Sequence, residues 1–203
     1  RQANWYLARR QSILEDLGRL VRDIESGGSY PLFVKPSGTG SSVGVSKVKN
    51  TQELKDALKK AAQYDEKVLV EEFISGHEVE VAVLGNKNPI ASVVGEVIAG
   101  AEFYDYDAKY NSPQSRTEIP ADISEDAAER LRKAAVTVYE AMGCKGLSRV
   151  DFFLTYEGEE VVFNEINTIP GFTSISMYPK LFEAAGVPNQ KLIEELISLA
   201  MEA

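Results

Sequence analysis

The residues of this 203-residue chain best placed to do chemistry are Asp151, Glu165 and Asn167, within the run RVDFFLTYEGEEVVFNEIN. Two β-prone segments, 149–154 and 161–166, flank the polar turn TYEGEE, and Gly158 can supply the positive φ of a hairpin tip. A turn symmetric about Gly158 sets Asp151 against Glu165, Phe153 against Phe163, and Arg149 against Asn167. Strand side chains alternate with period two, so all six would share one face. Val150, Phe152, Leu154, Val162 and Ile166 would then form a core face. Like charges opposed on a sheet destabilise it, so the Asp151–Glu165 pair asks for a reason. A hard divalent cation is one, because Mg²⁺ is held by one or two carboxylates plus phosphate oxygens, and an Asn carbonyl can join them. Acids that simply face water, eased by Arg149, are the plainer alternative. Two phenyl rings on that face count against it.

Further candidates lie elsewhere. Lys35 precedes PSGTGSSVG, where glycines 38, 40 and 44 and the hydroxyls of Ser37, Thr39, Ser41 and Ser42 would let backbone N–H groups approach phosphate. A P-loop or dinucleotide fingerprint would need a helix next, but a strand follows. The choice is a hairpin loop over a nucleotide or a plain surface turn. In VLVEEFISGHE, Glu78 could accept from ribose hydroxyls, whereas Glu71 and Glu72 read as a solvated edge. The long polar-aromatic stretch 101–120 suggests a functional loop. From it Lys109 could reach a transferring phosphoryl group, or simply be exposed. Tyr104, Tyr106 and Tyr110 are equally open to a packing role. Arg149 either clamps an oxyanion or partners Asp151 alone. In TIPGFTSIS, Gly171 could offer an N–H, and Ser174 or Ser176 could hold a carboxylate; a plain connection is the alternative. His77 reads as a solvated loop residue. One His and one Cys far apart give no zinc set and no triad.

The elements that must position these groups follow from periodicity. Ile13, Leu17, Leu20, Val21 and Ile24 predict one helix over 8–25, ended by Gly27 and Gly28. Thr51 is expected to cap a helix with Leu54, Ala57, Leu58 and Ala61 inward. Strands follow in KVLVEEFI, EVEVAVLG and PIASVVGEVI. Ser124 caps a helix with Leu131, Ala135, Val138 and Met142 inward, and a last helix from Asn189 buries Leu192, Ile193, Leu196 and Leu199. This order is α+β and not a regular βαβ alternation.

Composition narrows the classes. Hydrophobic residues at 44% and charged residues at 26% are ordinary for a globular chain. A net charge of −9 opposes binding to nucleic-acid backbone, and no apolar run approaches the roughly 20 residues of a membrane span. The single Cys144 suits a reducing cytoplasm. The stretch before the first helix does not read as a signal peptide. The opening RQANWYLARRQ, without Met, reads as that of a fragment.

Taken together, FVKPSGTGSSVGVSKV, VLVEEFISGHEVEVAVLGN, FYDYDAKY, GLSRVDFF and FNEINTIPGFTS resemble the ATP-grasp superfamily, and within it the D-alanine–D-alanine ligases. The resemblance implies an α+β ATP-grasp fold of two subdomains clasping a nucleotide. Residues 1–75 would form the small central subdomain, with its N-terminal part incomplete. Residues 76–203 would form the large C-terminal subdomain with the metal hairpin and lid, and the family's N-terminal domain would be missing. It implies ATP and two Mg²⁺ ions, with Mn²⁺ as a substitute, and Asp151, Glu165 and Asn167 as metal ligands. Lys35, Ser41, Ser42 and Lys109 would contact phosphates. Glu71, Ile74 and Glu78 would face adenine and ribose, with Phe103 and Phe153 against the base. Arg149, Gly171, Ser41 and Tyr110 would be catalytic, the first two at a tetrahedral intermediate. Ser176 would bind the carboxylate of the second D-alanine, and the Lys109–Tyr110 pair matches the D-alanine-selecting lid. Glu72 stands where some relatives have lysine, which puts one nucleotide contact in doubt. The implied activity is ligation of two D-alanines through an acyl phosphate for peptidoglycan synthesis. The implied setting is a cytoplasmic homodimer with no nucleic-acid or membrane partner. A nucleotide-binding fragment without ligase activity, or a ligase for another acceptor such as D-serine or D-lactate, are the alternatives.

Overall fold

The computed structural model describes residues 1–40, 43–98 and 116–202. The chain divides into two compact units. The smaller contains Ala3–Ile74; the larger contains Arg1–Gln2, Ser75–Ile98 and the chain from Arg116 on.

In the smaller unit, β1 (Trp5–Arg9) leads into α1 (Arg10–Glu15) and α2 (Leu17–Gly27). Next come β2 (Leu32–Pro36), β3 (Ser46–Val48), α3 (Thr51–Ala61) and β4 (Lys67–Glu72). The strands order as β1-β4-β2-β3, all antiparallel. The single helix expected over 8–25 is therefore a strand and two helices. Asp16 makes the break: its backbone leaves the helical region, and its carboxylate accepts from Arg19 N to cap α2. The cap of α3 is Asn50, not Thr51. Its side chain accepts from the N–H groups of Gln52 and Glu53, while Glu53 Oε2 accepts from Lys49 N, a reciprocal capping arrangement. Leu54, Ala57, Leu58 and Ala61 of α3 are buried as the stripe predicts, against Val34, Val48, Val68 and Val70.

In the larger unit, β5 (Gly76–Leu84), β6 (Ile90–Ile98) and β7 (Arg116–Glu118) precede α4 (Glu125–Ala141). The hairpin β8 (Leu147–Thr155) and β9 (Val161–Asn167) follows, then α5 (Met177–Ala184) and α6 (Asn189–Met201). The sheet order is β7-β6-β5-β8-β9, again antiparallel throughout. Segregated helices and antiparallel sheets make the fold α+β. Ser124 caps α4 by accepting from Ala127 N. Its buried face ends on Tyr139, whose hydroxyl donates to Gly85 O at 2.7 Å, while Met142 is exposed. On α6, Leu192 and Leu199 are buried but Ile193 is exposed.

The hairpin register holds up to the metal-candidate pair and shifts beyond it. Arg149 faces Asn167 and Asp151 faces Glu165, as the symmetric turn predicts. A bulge past Asp151 then sets Phe152 opposite Phe163 and Phe153 opposite Val162. One extra residue in one strand reverses the alternation beyond it. Phe163 thus packs edge-on against Phe152 at the core, and Val162 lies on the face of Phe153. The expected Phe153–Phe163 pair is corrected; Val162 is buried as expected, though on the face of Phe153 and not on that of Phe152.

Candidate functional site

Alternation in the larger sheet puts Val79, Val81, Val150 and Phe152 under α4 and leaves the opposite face to a polar row. Glu80, Asp151 and Glu165 lie side by side across β5, β8 and β9, with Ala82, Arg149 and Asn167 one step along. Arg149 donates to both Asp151 oxygens, from Nε and from NH2, at 2.7 Å each. It also approaches Glu80 Oε2 at 3.1 Å. Asn167 Nδ2 donates to Asp151 Oδ2 at 3.0 Å and to Glu165 Oε1 at 3.3 Å. Glu80 and Asp151 are buried, Glu165 is exposed. Burial works against the charge on Arg149, but the hydrogen bonds and charge of Asp151, then of Glu80 and Glu165, outweigh it and hold its pKa above the ordinary value.

The donor set suits a hard cation. Three carboxylates around one guanidinium leave an excess of negative charge in a partly buried place, and the Asn167 N–H groups now bridge the two acids where a cation would compete. Its carbonyl end is the ligand an oxygen-seeking ion would take. Among the described residues no three His, Cys, Asp or Glu side chains are arranged to hold a metal by themselves.

Glu78 and Phe153 are neighbours on β5 and β8, one step further along the same face. Gly171 and Ser176 lie in the turn before α5. A Cβ on Gly171 would come within 2.9 Å of Ser176 Oγ. That hydroxyl accepts from Thr173 N at 3.0 Å and lies 2.9 Å from Thr173 Oγ1. Nearby, Gly95 makes room for α5: a Cβ there would meet Leu181 and Met177 at 2.7 and 2.8 Å.

In the smaller unit Lys35 pairs with Glu71 at 2.7 Å. Both side chains are about four-fifths buried, at 21% and 19% exposure, so Glu71 is no solvated edge. Glu72 accepts from Asn4 N and Nδ2 at 3.0 Å each, a structural use for that carboxylate. Phe73 stacks on Phe33 at 6.0 Å, with Lys47 Nζ 4.0 Å over its ring. This apolar, cation-capped group beside Ile74 carried no sequence signal. The glycine loop is pinned at its start, where Asp65 accepts from Gly38 N at 2.6 Å and from Lys67 N at 3.0 Å. The Lys67 bond first, then that of Gly38, holds the Asp65 pKa below the usual carboxylate range.

His77 is not a solvated loop residue. It lies on β5, with Nδ1 at 2.6 Å from Glu96 Oε1 and its ring edge-on to Tyr156. Glu80 and Glu96, both buried, escaped the sequence reading. For Glu80 a signal existed, since Glu78-x-Glu80 in a strand must share one face. Ser41, Ser42, Phe103, Tyr104, Tyr106, Lys109 and Tyr110 lie outside the described residues.

With this geometry in view, residues 1–198 match the family model described as D-ala D-ala ligase C-terminus. The chain is 55% identical over 201 residues to the D-alanine–D-alanine ligase of Acetivibrio thermocellus, covering 99% of this chain and 54% of that protein. It is 55% identical over 179 residues to that of Chlorobium limicola, covering 88% and 49%. Among solved structures, VanG D-Ala:D-Ser ligase from Enterococcus faecalis superposes with a TM-score of 0.87 at 41% identity, over 98% of this chain and 56% of that one. The D-alanine-D-alanine ligase of Coxiella burnetii gives 0.82 at 37%, over 99% and 52%. The chain spans about half the length of the curated relatives it matches.

Proposed function

The chain belongs to the family of D-alanine–D-alanine ligase C-terminal regions, with an ATP-grasp fold, and from that membership we propose that it serves ATP-dependent ligation of two D-alanines. The γ-phosphoryl group passes from ATP to a carboxylate oxygen of the first D-alanine, giving an acyl phosphate and ADP. The amine of the second attacks the carbonyl carbon, a C–N bond forms, a proton leaves the nitrogen, and phosphate departs. Little of this needs covalent help from the protein, whose work is positioning and charge stabilisation.

The observation that carries the reading is the Asp151–Glu165–Asn167 set with Arg149 bonded into it. In this proposal the three residues hold Mg²⁺, in two ions, which supplies charge neutralisation at the phosphate oxygens. Arg149 and the Gly171 N–H offset charge on the tetrahedral carbon's oxygen. Ser176 takes the second carboxylate through a hydroxyl already oriented by Thr173. Lys35, Ser41, Ser42 and Lys109 serve the phosphates. Glu71, Ile74, Glu78, Phe103 and Phe153 serve adenine and ribose, and Ser41 and Tyr110 join the catalytic set. Residues 1–75 and 76–203 are assigned as the two ATP-grasp subdomains. A homodimer in the cytoplasm belongs to the same reading. No helix among the described residues is long and apolar enough to cross a membrane.

The likeness to a D-Ala:D-Ser ligase favours one variant, in which the second substrate is D-serine. The deciding experiment is phosphate release with ATP, Mg²⁺, D-alanine and a panel of D-amino and D-hydroxy acids. It is run on this chain and on its fusion to the remaining half of the Acetivibrio thermocellus ligase. Release with D-alanine alone supports the main reading. Release that needs D-serine supports the variant, and no release from the fusion contradicts both.

A further inference from the structure

Glu80 has no part in the metal set or in the nucleotide contacts, yet it is buried at 3% exposure beside another buried acid. Unpaired charge is not kept in such a place. Its strand position fixes why it is there: β5 sets it directly across from Asp151, and its Oε2 reaches Arg149 Nε at 3.1 Å. Nε carries one hydrogen, and that hydrogen goes to Asp151 Oδ1 at 2.7 Å. Glu80 Oε2 therefore faces the guanidinium as a charge, while the Nε hydrogen is given to Asp151. Asp151 meanwhile has two claims on it. Both of its oxygens are bonded by Arg149, Oδ2 is bonded by Asn167 as well, and it is the proposed cation ligand.

We infer that Glu80 is the positioning residue of Arg149, the acceptor toward which the guanidinium rotates its Nε–H when Asp151 is given over to a cation. The inference rests on the metal reading above and adds a residue to it. Without Glu80 the cation must pull Asp151 away from Arg149 with no acid to replace it, and Arg149 loses the anchor that keeps its NH2 end facing the reaction. With Glu80 the guanidinium rotates from one acid to the other and remains in the site. A cation then meets less competition for Asp151. Glu80 acts through Arg149 and touches neither metal nor substrate.

The test is a cycle of variants read by Mn²⁺ binding to the chain, followed as loss of the free-ion paramagnetic resonance signal. Glu80→Gln keeps the shape and removes the charge. It is expected to weaken Mn²⁺ binding about tenfold, as outer-shell partners of metal ligands do. In an Arg149→Gln background the same substitution is expected to change binding less than about twofold, because the residue it acts through is gone. An equal loss in both backgrounds would mean that Glu80 acts as a through-space charge and would overturn the inference, as would no loss in either. Glu165→Gln is the control on the reading beneath: if it too leaves Mn²⁺ binding unchanged, the metal assignment itself fails. Should Glu80→Gln not fold, the wild-type chain decides. Its Arg149 Nε–H resonance should remain protected from solvent exchange on saturation with Mg²⁺, and exchange as fast as that of free arginine would overturn the inference.

Discussion

At the scale of single residues, the site is an electrostatic knot around Arg149. Buried pairs contribute little net stability when intact but cost much when half is removed. Arg149→Ala should therefore destabilise the chain by about 3–5 kcal/mol, measured by urea unfolding, because Asp151 and Glu80 would keep buried charge without their common cation. Glu72 gives a smaller case. Glu72→Ala removes both bonds to Asn4 and should cost about 1 kcal/mol in the same measurement. What was legible here follows from parity. Asp151, Glu165, Asn167 and Arg149 could be placed on one face because a hairpin turn fixes register and alternation does the rest. Glu80 could not be tied to them, since it joins from a strand some 70 residues earlier and nothing local says which strand will be its neighbour.

At the scale of elements, caps and pins decide how firmly the site is offered. Asn50→Ala should lower stability by about 1 kcal/mol by opening two N–H groups at the start of α3. Asp65 ties the glycine loop to the start of β4, and its depressed pKa gives that tie a pH window. The folded value lies below the unfolded one, so the contribution is complete above the ordinary carboxylate pKa of 3.8 and is lost as pH falls through the lower folded value. Asp65→Asn should remove that acid-side dependence, read as the slope of the urea midpoint against pH. The elements themselves were mostly legible from period and punctuation. The exceptions share a cause. β1 is a short edge strand whose apolar residues run straight into a helical stripe, and only its pairing with β4 makes it a strand. The bulge after Asp151 adds one residue, and periodicity cannot see where a partner strand absorbs it.

At the scale of the molecule, each unit has its own sheet, helices and core, and the α+β class was readable from element order alone. The function was less so. Spacing offered three oxygen ligands and a loop fit for phosphate, while the family supplied the reaction that joins them. In the larger unit Tyr139 is buried with its hydroxyl bonded to Gly85, and burial, then the Cys144 charge, pushes its pKa up from 10.0 to about 12. A raised folded pKa means stability that is full below pH 10 and lost as pH rises toward about 12. Tyr139→Phe should flatten that alkaline loss, measured by urea unfolding across the same range. The central claim, that Asp151, Glu165 and Asn167 hold a cation shared with nucleotide, meets its most direct test in calorimetric titration of ADP into the chain, with Mg²⁺ and with a chelator, for wild type and Glu165→Gln. The account predicts Mg²⁺-dependent binding in the wild type, weakened about a hundredfold in the variant. Equal ADP affinity in both proteins, or in wild type with and without Mg²⁺, would contradict it.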